Sequence, residues 1–402
     1  MKSAQVATTI ICFALLVGFS SANVNPELLW KFSLPTFHVS YQLNHSIVSY
    51  NESQPFAAPK VANGIVYVSA NGQGPDKGLY AFNAENGAKL WYVPKIVGLS
   101  SPTVVDGVVY VGSVGDNKGV YALDAASGEQ KWTYSSTGGV NSSPVVVDGV
   151  VYVGTGTGHV LALNSVDGEK LWDFKTAGRT FADGDTTSDG VLSSPAVVDG
   201  RVFVDSQLYY VYALNAVDGS QIWNYTTGKE VYAAPLFWDG LVYVCSFDGY
   251  VYAFNASTGQ INWKFLTPAD LQGYRFLDSA PAIYNGVLYV GTDSAGLIAL
   301  GAKNGSQLWK FNSGGQIPAS PLIFDNVVYF GSEDNNGYGG DRLYAIDANN
   351  GSLIWNYILD PPKSSAGYGV SALDMIDGVI YAGTGAGKVL CFSGSSSGYG
   401  LF

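Results

Sequence analysis

Residues 142–176 read SSPVVVDGVVYVGTGTGHVLALNSVDGEKLWDFKT. Within this stretch apolar residues alternate with period two, PVVVD, then VVYVG, then HVLALN, then KLWDF, and glycines mark the breaks. Such alternation predicts four short strands joined by tight turns. Glycine is required where those turns take a positive φ.

The phrase recurs along the chain. Pro stands at 59, 102, 144, 195, 235, 281 and 321, followed five residues later by Gly64, Gly107, Gly149, Gly200, Gly240 and Gly286, or by Asn326. An eighth unit has Leu373 and Gly378 in these places. Trp closes units at 91, 132, 172, 223, 263, 309 and 355, each with Gly four residues earlier. Pro and Trp are 28 residues apart in four units and 32, 30 and 34 apart in the others. Four strands repeated every ~40–50 residues read as a propeller blade. The final unit runs into SGSSSGYGLF without a Trp, while an unmatched ELLWKF surrounds Trp30. Joining the two predicts an all-β, eight-bladed propeller of four-stranded antiparallel blades, closed by the Trp30 strand. The eight registered Trp residues are scaffold, and Trp238 lies outside that register.

Composition agrees with this reading. The chain has 402 residues, with 50 Gly, 27 Tyr and 9 Trp; hydrophobic residues make up 47 % and charged residues 13 %, which excludes a disordered or coiled-coil chain. A formal charge of −12 argues against nucleic acid and anionic membrane surfaces, both of which need a basic face. Residues 1–22, with Lys2, an apolar run from Ile10 to Phe19 and small residues at Ser20–Ala22, are expected to be a cleaved secretory signal. The apolar run is shorter than the roughly 20 residues that span a bilayer. Residues 23–402 are then one secreted, monomeric propeller domain without a transmembrane segment. Cys12 does not resemble a lipoprotein acceptor. Cys245 and Cys391 fall in different blades and are expected to be buried thiols. Sequons at Asn44, Asn51, Asn141, Asn224, Asn255, Asn304 and Asn350 mark possible glycosylation in a eukaryotic secretory pathway. Asn141, just before Ser142-Ser143-Pro144, is expected to be crowded at the axis and unmodified.

Segments such as ALDAASGEQKW (122–132), ALNSVDGEKLW (162–172), ALNAVDGSQIW (213–223) and AIDANNGSLIW (345–355) resemble the tryptophan-docking motif of the pyrroloquinoline-quinone-like repeat family. AFNAENGAKLW (81–91) and AFNASTGQINW (253–263) share it, and ALGAKNGSQLW (299–309) departs at Gly301. The resemblance implies the eight-bladed fold. It does not fix an activity, because the family holds quinoprotein dehydrogenases as well as cofactor-free scaffolds such as the bacterial outer-membrane assembly factor.

Strand alternation places the first and third turns of each blade on one face, and the second turn and inter-blade connector on the other. The long insertions, at 70–79, 113–120, 175–192, 266–278, 332–343 and 359–370, all fall on the second face. Blade 4 has a short loop there with two aromatic residues, in SQLYYV. Asp183, Asp185 and Asp189 are oxygen donors suited to Ca²⁺, although Thr187 interrupts a calcium-loop pattern. Tyr274, Arg275 and Asp278 precede an innermost strand and are candidate ligand contacts near the axis. Arg179, Asp334, Asp341, Arg342 and Tyr368 share the same face.

No adjacent Cys pair and no Cys-x-x-Cys-His motif is present. His38 and His45 belong to the N-terminal connector, and His159 is expected to face solvent on a blade-3 turn. The leading expectation is a secreted, non-catalytic propeller that binds a protein or glycan partner through the long-loop face, with no cofactor. The rival is an alcohol or sugar dehydrogenase dependent on pyrroloquinoline quinone and Ca²⁺, with Asp183, Asp185, Asp189 or Asp278 as the carboxylate base. A bacterial envelope assembly scaffold is a third reading, weakened by the missing lipid-acceptor Cys and by the sequons.

Overall fold

The computed structural model describes residues 28–33, 37–43, 46–52, 57–70, 77–177, 179–180, 186–187, 190–268, 277, 279–293, 296–333, 342–359, 370–376, 378–384 and 388–393. The signal-like segment lies outside them. Eight four-stranded antiparallel sheets make up the ring, seven of them running consecutively along the chain from the innermost strand to the outermost. Blade 3 shows the plan, with strands Val145–Val147, Val150–Gly154, His159–Asn164 and Lys170–Lys175. Blades 1 and 2 occupy 60–94 and 103–135, and blades 4 to 7 occupy 196–226, 236–266, 282–311 and 322–358.

Blade 8 is assembled from both ends of the described chain. Its strands Val370–Ile376, Val379–Thr384 and Lys388–Ser393 are completed by Leu28–Ser33, which pairs antiparallel with Lys388–Ser393. Trp30 lies opposite Cys391, as Trp132 lies opposite Ala122 and Trp172 opposite Ala162, and the register shift beside that pair recurs. The innermost strand of blade 8 also touches that of blade 1, so the circle is complete.

The first turn of blades 1 to 7 is a two-residue reversal with both φ values positive, such as Asp148 (48°) and Gly149 (76°). This is the hairpin geometry that Asp-Gly and Asn-Gly favour, because its twist matches the flanking strands. Blade 7 manages the same turn with Asp325 and Asn326, at 48° and 62°. Innermost strands are three residues long after a Pro, which has no N–H for the ladder. Leu373 holds the Pro place in blade 8 and keeps its N–H, and there the strand extends back to Val370.

Blades are locked together by a repeated contact. In seven of the eight blades, among the described residues, the Trp indole N–H donates to a backbone carbonyl in the third turn of the next: Trp30 to Ala84, Trp91 to Ala125, Trp132 to Ser165, Trp172 to Ala216, Trp223 to Ala256, Trp263 to Ala302 and Trp309 to Ala348, at 2.8–3.2 Å. The motif glycine of the receiving blade lies directly under that ring. A Cβ on Gly168 would sit 2.6 Å from the Trp132 ring. In five blades a Tyr of the second strand donates to the same carbonyl, among them Tyr110 to Ser165 and Tyr289 to Ala348. The packed space between blades is apolar, and Val151, Leu163, Val202 and Leu214 are fully buried. Cys245 and Cys391 are buried free thiols in blades 5 and 8, as the repeat positions implied.

Two hairpins lie outside the blade plan. Phe37–Leu43 pairs with Ser46–Glu52, and the short strand Arg179–Thr180 pairs with Thr186–Thr187. The sequence reading missed both.

Candidate functional site

The two faces separate as the strand alternation requires. On the first face, the third turn of blades 1 to 7 hydrogen bonds to the first turn, as in Ser165 N to Gly149 O at 2.9 Å and Ala256 N to Gly240 O at 2.9 Å. On the second face, the second loop of a blade bonds to the connector leading into it. Val114 N donates to Val97 O, Gly156 N to Gly139 O, Gln207 N to Gly190 O and Phe247 N to Glu230 O, at 2.7–3.0 Å. In blades 2 to 5 connectors and second loops are therefore tied together by backbone hydrogen bonds along this face.

At the inner edge of this face the Ser-Ser-Pro motif links neighbouring blades. Ser101 N donates to Ser143 Oγ at 2.9 Å, and Ser143 N donates to Ser194 Oγ at 3.0 Å. Asn141 belongs to the same layer, and its Oδ1 accepts from Leu99 N of the preceding connector at 3.2 Å. The sequons at Asn255, Asn304 and Asn350 coincide with turn chemistry. Their Oδ1 atoms accept backbone N–H groups two residues on, from Ser257, Ser306 and Ser352.

Of the residues singled out by sequence, Asp183, Asp185, Asp189, Tyr274, Arg275, Asp278, Asp334, Asp341 and Tyr368 lie outside the described residues. Arg179 pairs with Thr187 in the small hairpin of the blade 3–4 connector. Arg342 opens the third strand of blade 7, where its Nη1 donates to Asn356 Oδ1 at 2.5 Å on the adjacent outer strand. Leu277, between Arg275 and Asp278, is fully buried in the core between blades 5 and 6.

Blades 4 and 5 carry features that the motif search passed over. Tyr209 has φ 74° at the place where blades 3 and 5 have Gly158 (76°) and Gly249 (84°). A left-handed conformation costs a non-glycine residue roughly 1–2 kcal/mol. Thr227 holds it in place, its N and Oγ1 both donating to Tyr209 O at 2.7 and 2.9 Å. Nearby, Tyr232 and Phe247 pack with ring centroids 4.8 Å apart, and Gln207 Nε2 donates to Tyr232 Oη at 3.4 Å. All four side chains are half-buried. Asp248 accepts from Gly228 N and Tyr252 Oη, both at 2.7 Å. Burial first, and then this hydrogen bond, push the Tyr252 hydroxyl well above its ordinary pKa.

Beneath this face, Asp205 is fully buried where blades 2 and 3 have Gly112 and Gly154. Ser142 in blade 3 bonds to the backbone of Gly154, whereas the equivalent Ser193 donates to the Asp205 carboxylate. Burial, reinforced by the charge of Asp205, raises the Cys245 thiol pKa to about 12. The departure was visible in the sequence as VFVD in place of VYVG.

His159, expected to face solvent, is 30 % exposed and has a partner the sequence did not indicate: its Nδ1 lies 2.7 Å from Asp173 Oδ1, while Lys170 Nζ lies 3.2 Å from Asp173 Oδ2. Partial burial opposes ionisation of Asp173, yet the hydrogen bonds from His159 and Lys170 hold its carboxyl below the ordinary range. Among the described residues, no three His, Cys, Asp or Glu side chains converge as a metal site. No helix among them is long and apolar enough to cross a membrane. The carboxylates assigned to Ca²⁺ in the dehydrogenase reading lie outside these residues.

Comparison with known proteins agrees with this architecture. BamB from Moraxella catarrhalis superposes with a TM-score of 0.62 at 15 % identity, covering 89 % of this chain and all of that one. Quinohemoprotein alcohol dehydrogenases superpose similarly: that of Pseudomonas putida with TM-score 0.67, 16 % identity and coverage of 93 % and 77 %, and that of Comamonas testosteroni with 0.64, 17 %, and 94 % and 78 %. At these identities the likeness shows fold alone. Among curated proteins, the serine/threonine-protein kinase AfsK of Streptomyces griseus is 31 % identical over 37 % of this chain and 19 % of its own length. Tetrathionate hydrolase of Acidithiobacillus ferrooxidans is 28 % identical over 42 % and 28 %. The chain thus spans under a third of either relative. The family described as outer membrane protein assembly factor BamB matches residues 95–188, 177–284 and 273–397, which is most of the chain. Repeat, docking motif and family match agree, and the protein belongs to the BamB-type family of pyrroloquinoline-quinone-like repeat β-propellers.

Proposed function

We propose that this propeller is a secreted, non-catalytic scaffold that binds a protein or glycan partner through its long-loop face. One observation carries the reading: in blades 2 to 5 second loops are hydrogen bonded to the connectors leading into them, and that frame holds Tyr209 in a conformation its neighbours give to glycine. Backbone strain kept on a rigid scaffold marks positions selected for what they contact. Tyr209, Tyr232 and Phe247 offer aromatic surface that stacks on a sugar ring or packs an apolar side chain, and Gln207 adds a polar group. The sequence reading assigns to the same face the longer loops bearing Arg179, Asp183, Asp185, Asp189, Tyr274, Arg275, Asp278, Asp334, Asp341, Arg342 and Tyr368, and on this proposal they extend the contact surface.

The test is capture of partners from the secreted fraction of the source organism by the immobilised chain. It is repeated with residues 175–192 and 332–343 each replaced by a short Gly-containing turn. Loss of the captured species with either replacement supports the assignment, and full retention overturns it. The dehydrogenase reading is tested by reconstitution with pyrroloquinoline quinone and Ca²⁺. Dye reduction with alcohols or sugars would replace the scaffold reading.

A further inference from the structure

The face opposite the long loops has an asymmetry of its own. The last residue of the innermost strand, just before the two-residue turn, is Ala62, Val105, Val147 and Val198 in blades 1 to 4. In blades 5, 6 and 7 it is Trp238, Tyr284 and Phe324, and in blade 8 it is Ile376. The turn that follows is the same in both halves. Asp148 and Asp199 take φ 48° and 49°, and Asp239, Asn285 and Asp325 take 48°, 49° and 48°. The scaffold therefore accepts a small aliphatic residue here, and its backbone does not require the aromatic ones. Phe324 is 44 % exposed and Ile376 37 %. Trp238 packs over the turn of the next blade, its ring 3.7 Å from where a Cβ of Gly286 would be, and Phe324 stands likewise 3.5 Å from Gly378. These residues stand at successive places around half of the short-loop face, Trp238 and Tyr284 half-buried against the seams between blades and Phe324 exposed, each followed directly by an Asp or Asn.

The couplet of ring and carboxylate already holds a cation. Lys303 Nζ, from the third turn of blade 6, lies 5.8 Å from the Trp238 ring centroid and 3.0 Å from Asp239 Oδ2. Aromatic faces attract cations electrostatically, and an adjacent carboxylate adds to that field. On a chain of charge −12, a basic partner is also drawn by the overall field.

We infer that the short-loop face, over Trp238, Tyr284 and Phe324, docks a Lys- or Arg-rich peptide segment of a partner protein. This surface is separate from the long-loop site and stands or falls independently of it. Its side chains reach ring faces bordered by Asp239 and Asp325, and Lys303 competes for the first of these couplets.

The experiment is fluorescence anisotropy of a fluorescein-labelled octa-lysine peptide against the full chain at low salt, with octa-glutamate and cellohexaose as comparison ligands. Saturable octa-lysine binding is expected, weakening as salt rises. Trp238→Val and Phe324→Val, which introduce the residue blades 2 to 4 already carry, should each weaken it roughly three- to tenfold. Asp325→Asn, matching Asn285 of blade 6, should also weaken it, and Lys303→Ala should tighten it. Thermal melts confirm that the variants fold. Absence of binding, equal affinity across the Val variants, or preference for cellohexaose would each overturn the assignment.

Discussion

Tyr243 and Trp263, on different strands of blade 5, converge on one acceptor. The Tyr243 hydroxyl and the Trp263 indole donate to the carbonyl of Ala302 in blade 6, at 3.1 and 2.8 Å. The rings themselves pack 5.9 Å apart at 47°. Blade 4 has Phe203 in the Tyr place, and there Trp223 alone makes the link to Ala256. A carbonyl with two lone pairs accepts both donors without competition. At seven of the eight junctions, among the described residues, a blade is thereby pinned to its neighbour through a polar contact inside an otherwise apolar seam.

Trp263→Phe keeps most of the ring and deletes the N–H. Stability in chemical denaturation should fall by about 1–3 kcal/mol, the cost of losing a buried hydrogen bond plus a small cavity. Tyr243→Phe should cost less, about 1 kcal/mol, because Trp263 still satisfies the acceptor.

Gly168→Ala and Gly200→Ala form a matched pair. Both glycines have positive φ, 77° and 68°, so both variants carry the backbone penalty of roughly 1–2 kcal/mol. At Gly168 the new methyl would also meet the Trp132 ring at 2.6 Å, whereas nothing lies within 4 Å of it at Gly200. Urea melts should show Gly168→Ala as clearly the less stable of the two.

Tyr209→Gly removes the strain at φ 74° and should stabilise the fold by up to about 1 kcal/mol, after the entropic cost of glycine is taken off. Partner capture on the long-loop face should weaken at the same time. Gain of stability with loss of binding is the expected signature in paired melts and pull-downs.

The Asp173 carboxyl, held below its ordinary pKa in the folded chain, contributes stability above the unfolded value near 3.9 and loses it as pH falls through the lower folded value. The stability difference between wild type and Asp173→Asn should therefore be full at pH 5 and vanish toward pH 2, with a size on the order of 1 kcal/mol for a partly exposed cluster. Denaturant titrations across that interval measure it.

Cys245 and Cys391 are buried, and burial raises both thiols to about 12. Thiolate is the reactive form, so neither should react with a thiol reagent in the native protein. Labelling at these two positions should appear only on addition of denaturant.

The ring, its blade count, the docking tryptophans and the seal through Trp30 were all legible in the sequence, because each depends on spacing within one repeat. The Tyr110 bond to Ser165 was not, although the Tyr recurs in VVYVG and VLYVG. Its acceptor belongs to the next blade, a partner that only the circular arrangement defines. The hairpin Phe37–Leu43 with Ser46–Glu52 was missed for a different reason, since it lies outside the Pro-to-Trp register used to find strands. In the candidate site, the long insertions drew attention to charged loop residues. The strained Tyr209 and the buried Asp205 were spelled out as a Tyr and an Asp at glycine positions, and they emerge only when blades are compared place by place.

The pairing of Leu28–Ser33 with Lys388–Ser393 has a consequence for biogenesis. Of the strands of the ring, the first to leave the ribosome has its mate in the last blade to be made. Early blades can stack as they emerge, yet the toroid stays a split washer until Lys388–Ser393 is available. During that interval Trp30 and its flanking strand are exposed to solvent, which makes this latch the step where a holding chaperone would act and where truncated products would be trapped open.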